Sequence, residues 1–201
     1  MNLADTFGEI DIYLFDQLLR RRIVPGMRIL DAGCGSGRNI VFLLRTGYDV
    51  SACDRDEEAI SDVRRLAASL APALAPGSFR VEPVEQLSFE PASFDVVISS
   101  AVLHFAHDER HFDAMLRAMW HVLRSGGFLF ARLASTIGIE DRVRPLGGRH
   151  FHLPDGSQRF LVDERMLTDA SRTLGGDLLD PIKTTVVQDQ RSMTTWVLRK
   201  R

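Results

Sequence analysis

The chain has 201 residues, 45% of them hydrophobic and 26% charged, with a formal net charge of −2. That length suits one domain with a sizeable core, and that balance disfavours a broad electrostatic footprint for nucleic acid or an anionic membrane. No apolar run approaches the roughly 20 residues of a membrane span, and the acidic start MNLADTFGEIDIY lacks the charged and apolar blocks of a signal peptide, so a cytoplasmic protein is expected.

In chain order, periodicity predicts a helix over 10–22 with Ile10, Tyr13, Leu14, Gln17 and Leu18 on one face. MRILDA (27–32) reads as a short buried strand ended by glycine, 38–46 as a helix closed by Gly47, and YDVSACD (48–54) as a second strand. A helix follows over 56–70, with Ile60, Val63, Ala67 and Leu70 aligned, then a strand over 79–84 weakened by Pro83. FDVVISS (94–100) is a strand, 108–123 the clearest amphipathic helix, and GGFLFARLA (126–134) another strand. Residues 135–162 lose this rhythm. A helix capped by Asp163 comes next, and IKTTVVQ and MTTWVLRK, joined by the polar turn DQRS, close the chain as a hairpin. Strands alternating with helices imply a parallel sheet covered on both faces, with ligands at the carboxyl ends of its strands. The two cysteines, Cys34 and Cys53, form no CxxC pair and read as free buried thiols.

The first such carboxyl end carries Gly33, Gly35 and Gly37. Glycine tolerates positive φ and lets backbone approach a ligand closely, and the helix beyond presents free N–H groups. Twenty-three residues after Asp31, Asp54 ends the second strand, where a carboxylate can accept hydrogen bonds from both hydroxyls of a ribose. The turn is not the dinucleotide G-x-G-x-x-G, because its third glycine is one place early, and it lacks the Gly-Lys-Ser/Thr of a phosphate loop.

The spacing LDAGCGSG resembles the first motif of class I S-adenosylmethionine-dependent methyltransferases. YDVSACDRDEEAI, FDVVISSAVLHF and VLRSGGFLFARL are similar to that family's second, fourth and fifth strand segments. Within it, GCGSGRNIVFLLRTGYDVSACD most resembles the small bacterial tellurite-resistance-type methyltransferases. The resemblance implies a Rossmann-like, doubly wound α/β fold: a mostly parallel seven-stranded sheet with helices on both faces and an antiparallel strand from the C-terminal hairpin. One domain is expected over 1–201, with 1–24 as an N-terminal cap helix and 135–162 as a substrate-side insertion. It implies S-adenosylmethionine as cofactor, held by Asp31, Gly33, Gly35, Gly37 and Asn39 around the turn, by Asp54 and Arg55 after the second strand, and by Ser99 on the fourth. Where relatives carry an adenine-binding acid, this chain has EPVEQLSF, with Pro83 in its place. The N–H of Val84 and a carboxylate from Glu82 or Glu85 are the remaining candidates for that ring.

On the substrate side, His104 in SSAVLHFAH is the expected general base, and a histidine capping the strand end against the core is its structural alternative. Segment 135–162 is expected to act as a mobile lid, with His150, Phe151 and His152 near the pocket mouth and Tyr13 helping to close the site. Arg132, Arg149 and Arg159 are candidates for an anionic group. No metal is expected, since the histidine pairs lack carboxylates at matching spacing. The leading function is in-line methyl transfer to a small-molecule acceptor, with no nucleic acid or membrane partner and the oligomeric state left open. A nucleic-acid methyltransferase and a non-catalytic cofactor-binding regulator are the alternatives; the Asn/Asp-Pro-Pro-aromatic motif of base-amino methylation is missing after the fourth strand.

Overall fold

The computed structural model describes residues 3–201. Its centre is five parallel strands, β1 (Arg28–Ala32), β2 (Asp49–Asp54), β3 (Phe79–Val81), β4 (Phe94–Ser100) and β5 (Leu123–Ala134), adjacent in the order β3-β2-β1-β4-β5. The order reverses at β1, where the chain crosses from β3 to β4, so a crevice opens beyond the carboxyl ends of β1 and β4. β4 is buried at all seven positions, as an apolar strand covered on both faces must be.

The C-terminal hairpin completes the sheet. β11 (Arg191–Lys200) lies antiparallel between β5 and β10 (Lys183–Val187), and the short β9 (Gly176–Leu178) pairs with the far end of β11 on the same edge. Gln188 and Asp189 turn the hairpin, both at positive φ, which matches the right-handed twist of the strands they join.

Strand alternation divides the core. Leu30, Val97, Leu129 and Trp196 face α5 (Glu109–Val122) and α6 (Glu164–Thr173). Ile29, Val50, Val96 and Phe130 face α2 (Ile12–Leu19), α3 (Val41–Arg45) and α4 (Glu57–Leu70). Aspartates cap four of the helices: Asp11, Asp56, Asp108 and Asp163 each accept a backbone N–H from the first turn that follows.

Three expectations are corrected. The single N-terminal cap helix is two helices, α1 (Leu3–Phe7) and α2, separated at Gly8 and by the Asp11 cap; Arg21, at positive φ, keeps α2 from reaching residue 22, and residues 1–2 lie outside the described chain. The helix expected from 38 begins at Val41, because turns from Cys34 to Gly37 and from Gly37 to Ile40 come first. Segment 135–162 is not irregular. It folds into a separate antiparallel sheet of β6 (Arg144–Gly147), β7 (His150–His152) and β8 (Gln158–Phe160), in that spatial order. Phe151, Leu153 and Leu161 pack with Ala134 and Met193 to seat it against the main sheet.

Candidate functional site

A cavity of about 470 Å³ occupies the crevice. It is lined by Gly33 to Ser36 of the glycine turn, though not by Gly37, which packs toward Val63, by Asp54 to Asp56 after β2, by Pro83 to Glu85 after β3, by Ser100 to Val102 and Phe105 after β4, and by His111 and Met115 of α5. The volume falls within the roughly 300–1,000 Å³ typical of small-molecule sites.

The turn is set by contacts a side chain would forbid. Gly33 has φ +79°, and a Cβ there would stand 2.6 Å from Val102 Cγ2. The N–H groups of Gly33 and Cys34 both donate to the Cys53 carbonyl, at 2.8 and 3.0 Å, which pins the end of β1 to the end of β2. Gly35 differs: a Cβ there would meet no protein atom within 4 Å, although the residue lines the cavity. Its bare backbone is therefore open to a ligand. The Asp54 carboxylate braces the turn, accepting the Gly35 N–H at 2.9 Å and the Asp56 N–H at 3.0 Å. Each carboxylate oxygen has further lone pairs for a ligand's hydroxyls.

Beneath the turn lies Asp31, fully buried, with neither carboxylate oxygen hydrogen-bonded. Burial pushes its carboxyl up to about 7; nearby Arg38 opposes the rise and Asp54 adds to it. Like Ser99, Asp31 is absent from the cavity lining, so it underlies the turn rather than facing a ligand. Arg38 lines the cavity and donates to Ser100 Oγ at 3.2 Å. Asn39 lines it too, and its Oδ1 accepts the Asp11 N–H at 3.0 Å, tying the turn to the N-terminal helices. Arg55, Val84 and Glu85 line the cavity as well. Ser99 does not: it is fully buried with its hydroxyl unpartnered, and its neighbour Ser100 takes the lining position.

The substrate-side expectations fare differently. His104 is buried and outside the cavity lining. Its Nδ1 accepts the Ala134 N–H at 3.2 Å. A backbone amide can only donate, so Nδ1 is the bare nitrogen and the neutral ring carries its proton on Nε2. Neither nitrogen is free to take a proton, and burial, with Arg159 adding to it, pulls the imidazole down to about 4. The general-base expectation for His104 is therefore corrected: the residue caps the end of β5. Tyr13 ties α2 to β10 through a 2.6 Å hydroxyl contact with Thr185, with Arg132 over its ring, rather than lining the cavity. Arg132 is paired with Asp11 at 2.7 Å and Arg149 with Asp163 at 3.0 Å. His150, Phe151 and His152 are off the cavity too. His150 Nε2 lies 2.8 Å from the His107 carbonyl, and Phe151 packs inward. The small sheet reaches the cavity by another route: Arg159 of β8 sits over the ring of Phe105, which is 49% exposed at the mouth.

Both cysteines are buried and free. Burial pushes the Cys53 thiol up to about 12 and the cavity-lining Cys34 higher still, so neither is a nucleophile at neutral pH. Among the described residues no group of three His, Cys, Asp or Glu side chains forms a metal-ligand set.

Sequence reasoning missed His111 and Met115. They stand four residues apart, hence on one face of α5, and that spacing was the available signal.

The methyltransferase-domain family profile matches residues 29–127, from β1 into β5. A ubiquinone biosynthesis O-methyltransferase from Methylocella silvestris is 36% identical over 110 residues, covering 55% of this chain and 41% of that protein. The chain spans about half the length of the curated relatives it matches. Among solved structures, a SAM-dependent methyltransferase from Methanosarcina mazei matches with a TM-score of 0.72 at 22% identity, covering 91% of this chain and 96% of that one. TehB from Haemophilus influenzae matches with a TM-score of 0.71 at 20% identity, covering 96% and 63% respectively. At such identities these two likenesses speak for the fold alone.

Proposed function

We propose that the chain is an S-adenosylmethionine-dependent methyltransferase that transfers a methyl group to a small-molecule acceptor bound beyond the carboxyl end of β4. The observation that carries this reading is the convergence on one cavity of an open Gly35 backbone, the Asp54 carboxylate and the turn after β3. The residues fit the cofactor. Arg38 suits a carboxylate, Asp54 the ribose hydroxyls, and the Val84 N–H and Glu85 the purine edge, with Arg55 alongside, while Asp31 underlies the turn. Gly33 and Gly37 shape the turn, and Asn39 fixes it to the N-terminal helices. When bound, the cofactor supplies a methyl group on a sulfonium, already joined to a good leaving group.

The chain's own work is then alignment and exclusion of water. At the β4 end the cavity is lined by Ser100, Ala101, Val102 and Phe105, none of them a general base. That lining favours an acceptor arriving with a free lone pair, such as a thiolate, a carboxylate or a neutral amine. We read the small β6–β8 sheet as the substrate-side insertion of a single domain, with Phe105 and Arg159 at the mouth. The net charge of −2 favours a small molecule over nucleic acid. Among the described residues no helix is long and apolar enough to cross a membrane, and a cytoplasmic enzyme is the accompanying proposal.

Calorimetry with S-adenosylhomocysteine and with NAD tests the cofactor, and labelled methyl donor incubated with thiols, amines, carboxylates and phenols tests transfer. S-adenosylhomocysteine should bind more tightly than NAD, and Asp54→Ala should weaken it by about 1.5–3 kcal/mol, the scale of hydrogen bonds to a charged group. Tighter binding of NAD overturns the reading.

A further inference from the structure

Part of the cavity lining is Pro83, Val84 and Glu85 from the turn after β3 together with His111 and Met115 of α5. Pro83, with φ −74°, leads into a single 3₁₀ turn over Val84–Gln86 whose Gln86 N–H returns to the Pro83 carbonyl at 3.0 Å. This turn packs against the start of α5, where Asp108 caps the helix by accepting the His111 N–H at 2.7 Å. Two features fix the His111 ring. Its Nδ1 accepts the His107 N–H at 3.1 Å, and the His107 ring stacks on it with centroids 4.6 Å apart. Because a backbone N–H only donates, Nδ1 is the bare nitrogen, and the ring's proton lies on Nε2. Nε2 is buried, 3.4 Å from Glu85 Oε2, and has no hydrogen-bond partner. A buried donor left unpaired is unfavourable, and a small turn of the Glu85 carboxylate toward it removes the defect.

We propose that Glu85 reads the exocyclic amino group of the cofactor's purine, and that His111 is the positioning residue that orients its carboxylate. The proposal rests on the cofactor-site reading above. It assigns to the Glu85–His111 pair the recognition that Pro83, with neither a polar side chain nor an N–H, cannot supply. A carboxylate only accepts hydrogen bonds, so it favours an amino group at the purine 6-position and opposes an oxo group, whose lone pairs face its own. His111, locked as a donor toward Glu85, holds that acceptor in place without touching the purine.

The test is calorimetric titration of S-adenosylhomocysteine and S-inosylhomocysteine, which differ in that amino-to-oxo exchange. The wild-type protein should prefer the amino compound by roughly 10- to 100-fold, the range expected for one hydrogen bond to a charged group. Glu85→Gln, whose amide can also donate, should bring the ratio close to one. His111→Phe should reduce the preference several-fold, and His111→Gln, which keeps a donor, should restore most of it even if the phenylalanine variant folds poorly. Asp54→Ala should weaken both compounds equally and leave the ratio alone. A His111 that is merely structural would also weaken both equally, and that outcome overturns the proposal, as does a wild-type protein with no preference. If the wild-type protein binds neither compound, the cofactor-site reading falls, and this inference with it.

Discussion

The two ends of the crevice are built from different materials. The glycine-turn end is backbone: the N–H groups of Gly33 and Cys34 on the Cys53 carbonyl, Gly35 on Asp54, and a strand register that fixes β1 against β2. The end beyond β4, where the acceptor is proposed to bind, is side chains on short elements: Phe105 under Arg159, whose strand belongs to a three-stranded sheet seated on Ala134 and Met193. Backbone geometry is dictated locally, by which residues tolerate a given φ. Side-chain constellations depend on where distant elements meet. The first end therefore suits a function common to many chains, and the second is where one chain's acceptor preference can be written with few substitutions.

The largest expected effect separates the two ends outright. Replacing residues 147–156 by a Gly/Ser linker removes β7 and both turns of the small sheet. It should leave S-adenosylhomocysteine affinity within about twofold, since none of those residues lines the cavity. Turnover with the best acceptor from the labelling screen should be lost. A variant that folds by circular dichroism and keeps full activity makes the small sheet a connector and erases the distinction.

A second experiment probes the backbone-built end. Asp31 is raised from 3.8 to about 7 by burial. Its folded state favours the protonated acid, so its contribution to stability is complete below the unfolded value and is lost as pH rises through about 7. Full ionisation costs on the order of 4 kcal/mol. Urea unfolding of the ligand-free protein at pH 5 and pH 8 should show rather more than half of this loss, since the unfolded carboxyl is already ionised at pH 5, and Asp31→Asn should largely abolish it. An Asp31→Asn protein with an unchanged pH dependence removes Asp31 from the account.

The same division explains what the sequence disclosed. β4 was legible to the residue as Phe94–Ser100, because the β-branched run VVI, two places after Phe94 and closed by Ser99 and Ser100, has few other readings. The Asp163 cap and the glycine turn were legible because each is a local stereochemical demand, whereas the caps Asp11, Asp56 and Asp108 emerged only in the structure. β6–β8 were not, because strands of three or four residues broken by Gly147, Gly148 and Gly156 carry too few alternations to distinguish pleat from loop. His111 was hidden in DERH, a polar first turn that reads as solvated surface until the turn after β3 packs on it. His104 was the converse error. Its place after β4 suggested chemistry, and only the Ala134 N–H, thirty residues away, reveals a cap.

The smallest of these effects concerns that histidine. Burial lowers its imidazole from 6.5 to about 4, so the folded state favours the neutral ring. The stability it contributes is present above the unfolded value and is lost as pH falls from 6.5 through about 4, a difference of about 3 kcal/mol when the ring is fully charged. His104→Gln, which keeps an acceptor for the Ala134 N–H, should flatten acid unfolding across that window. Asp31 titrates partly within the same range but in the opposite sense, so the comparison is wild type against variant at each pH rather than a single curve. Activity is the discriminating readout. A general base in this position predicts a rate loss that grows above its pKa, where the wild-type ring is free to accept a proton. A cap predicts a ratio of wild-type to variant rates that stays constant from pH 6 to pH 9. A ratio that climbs with pH would return His104 to the chemistry and place a side-chain catalyst at the acceptor end after all.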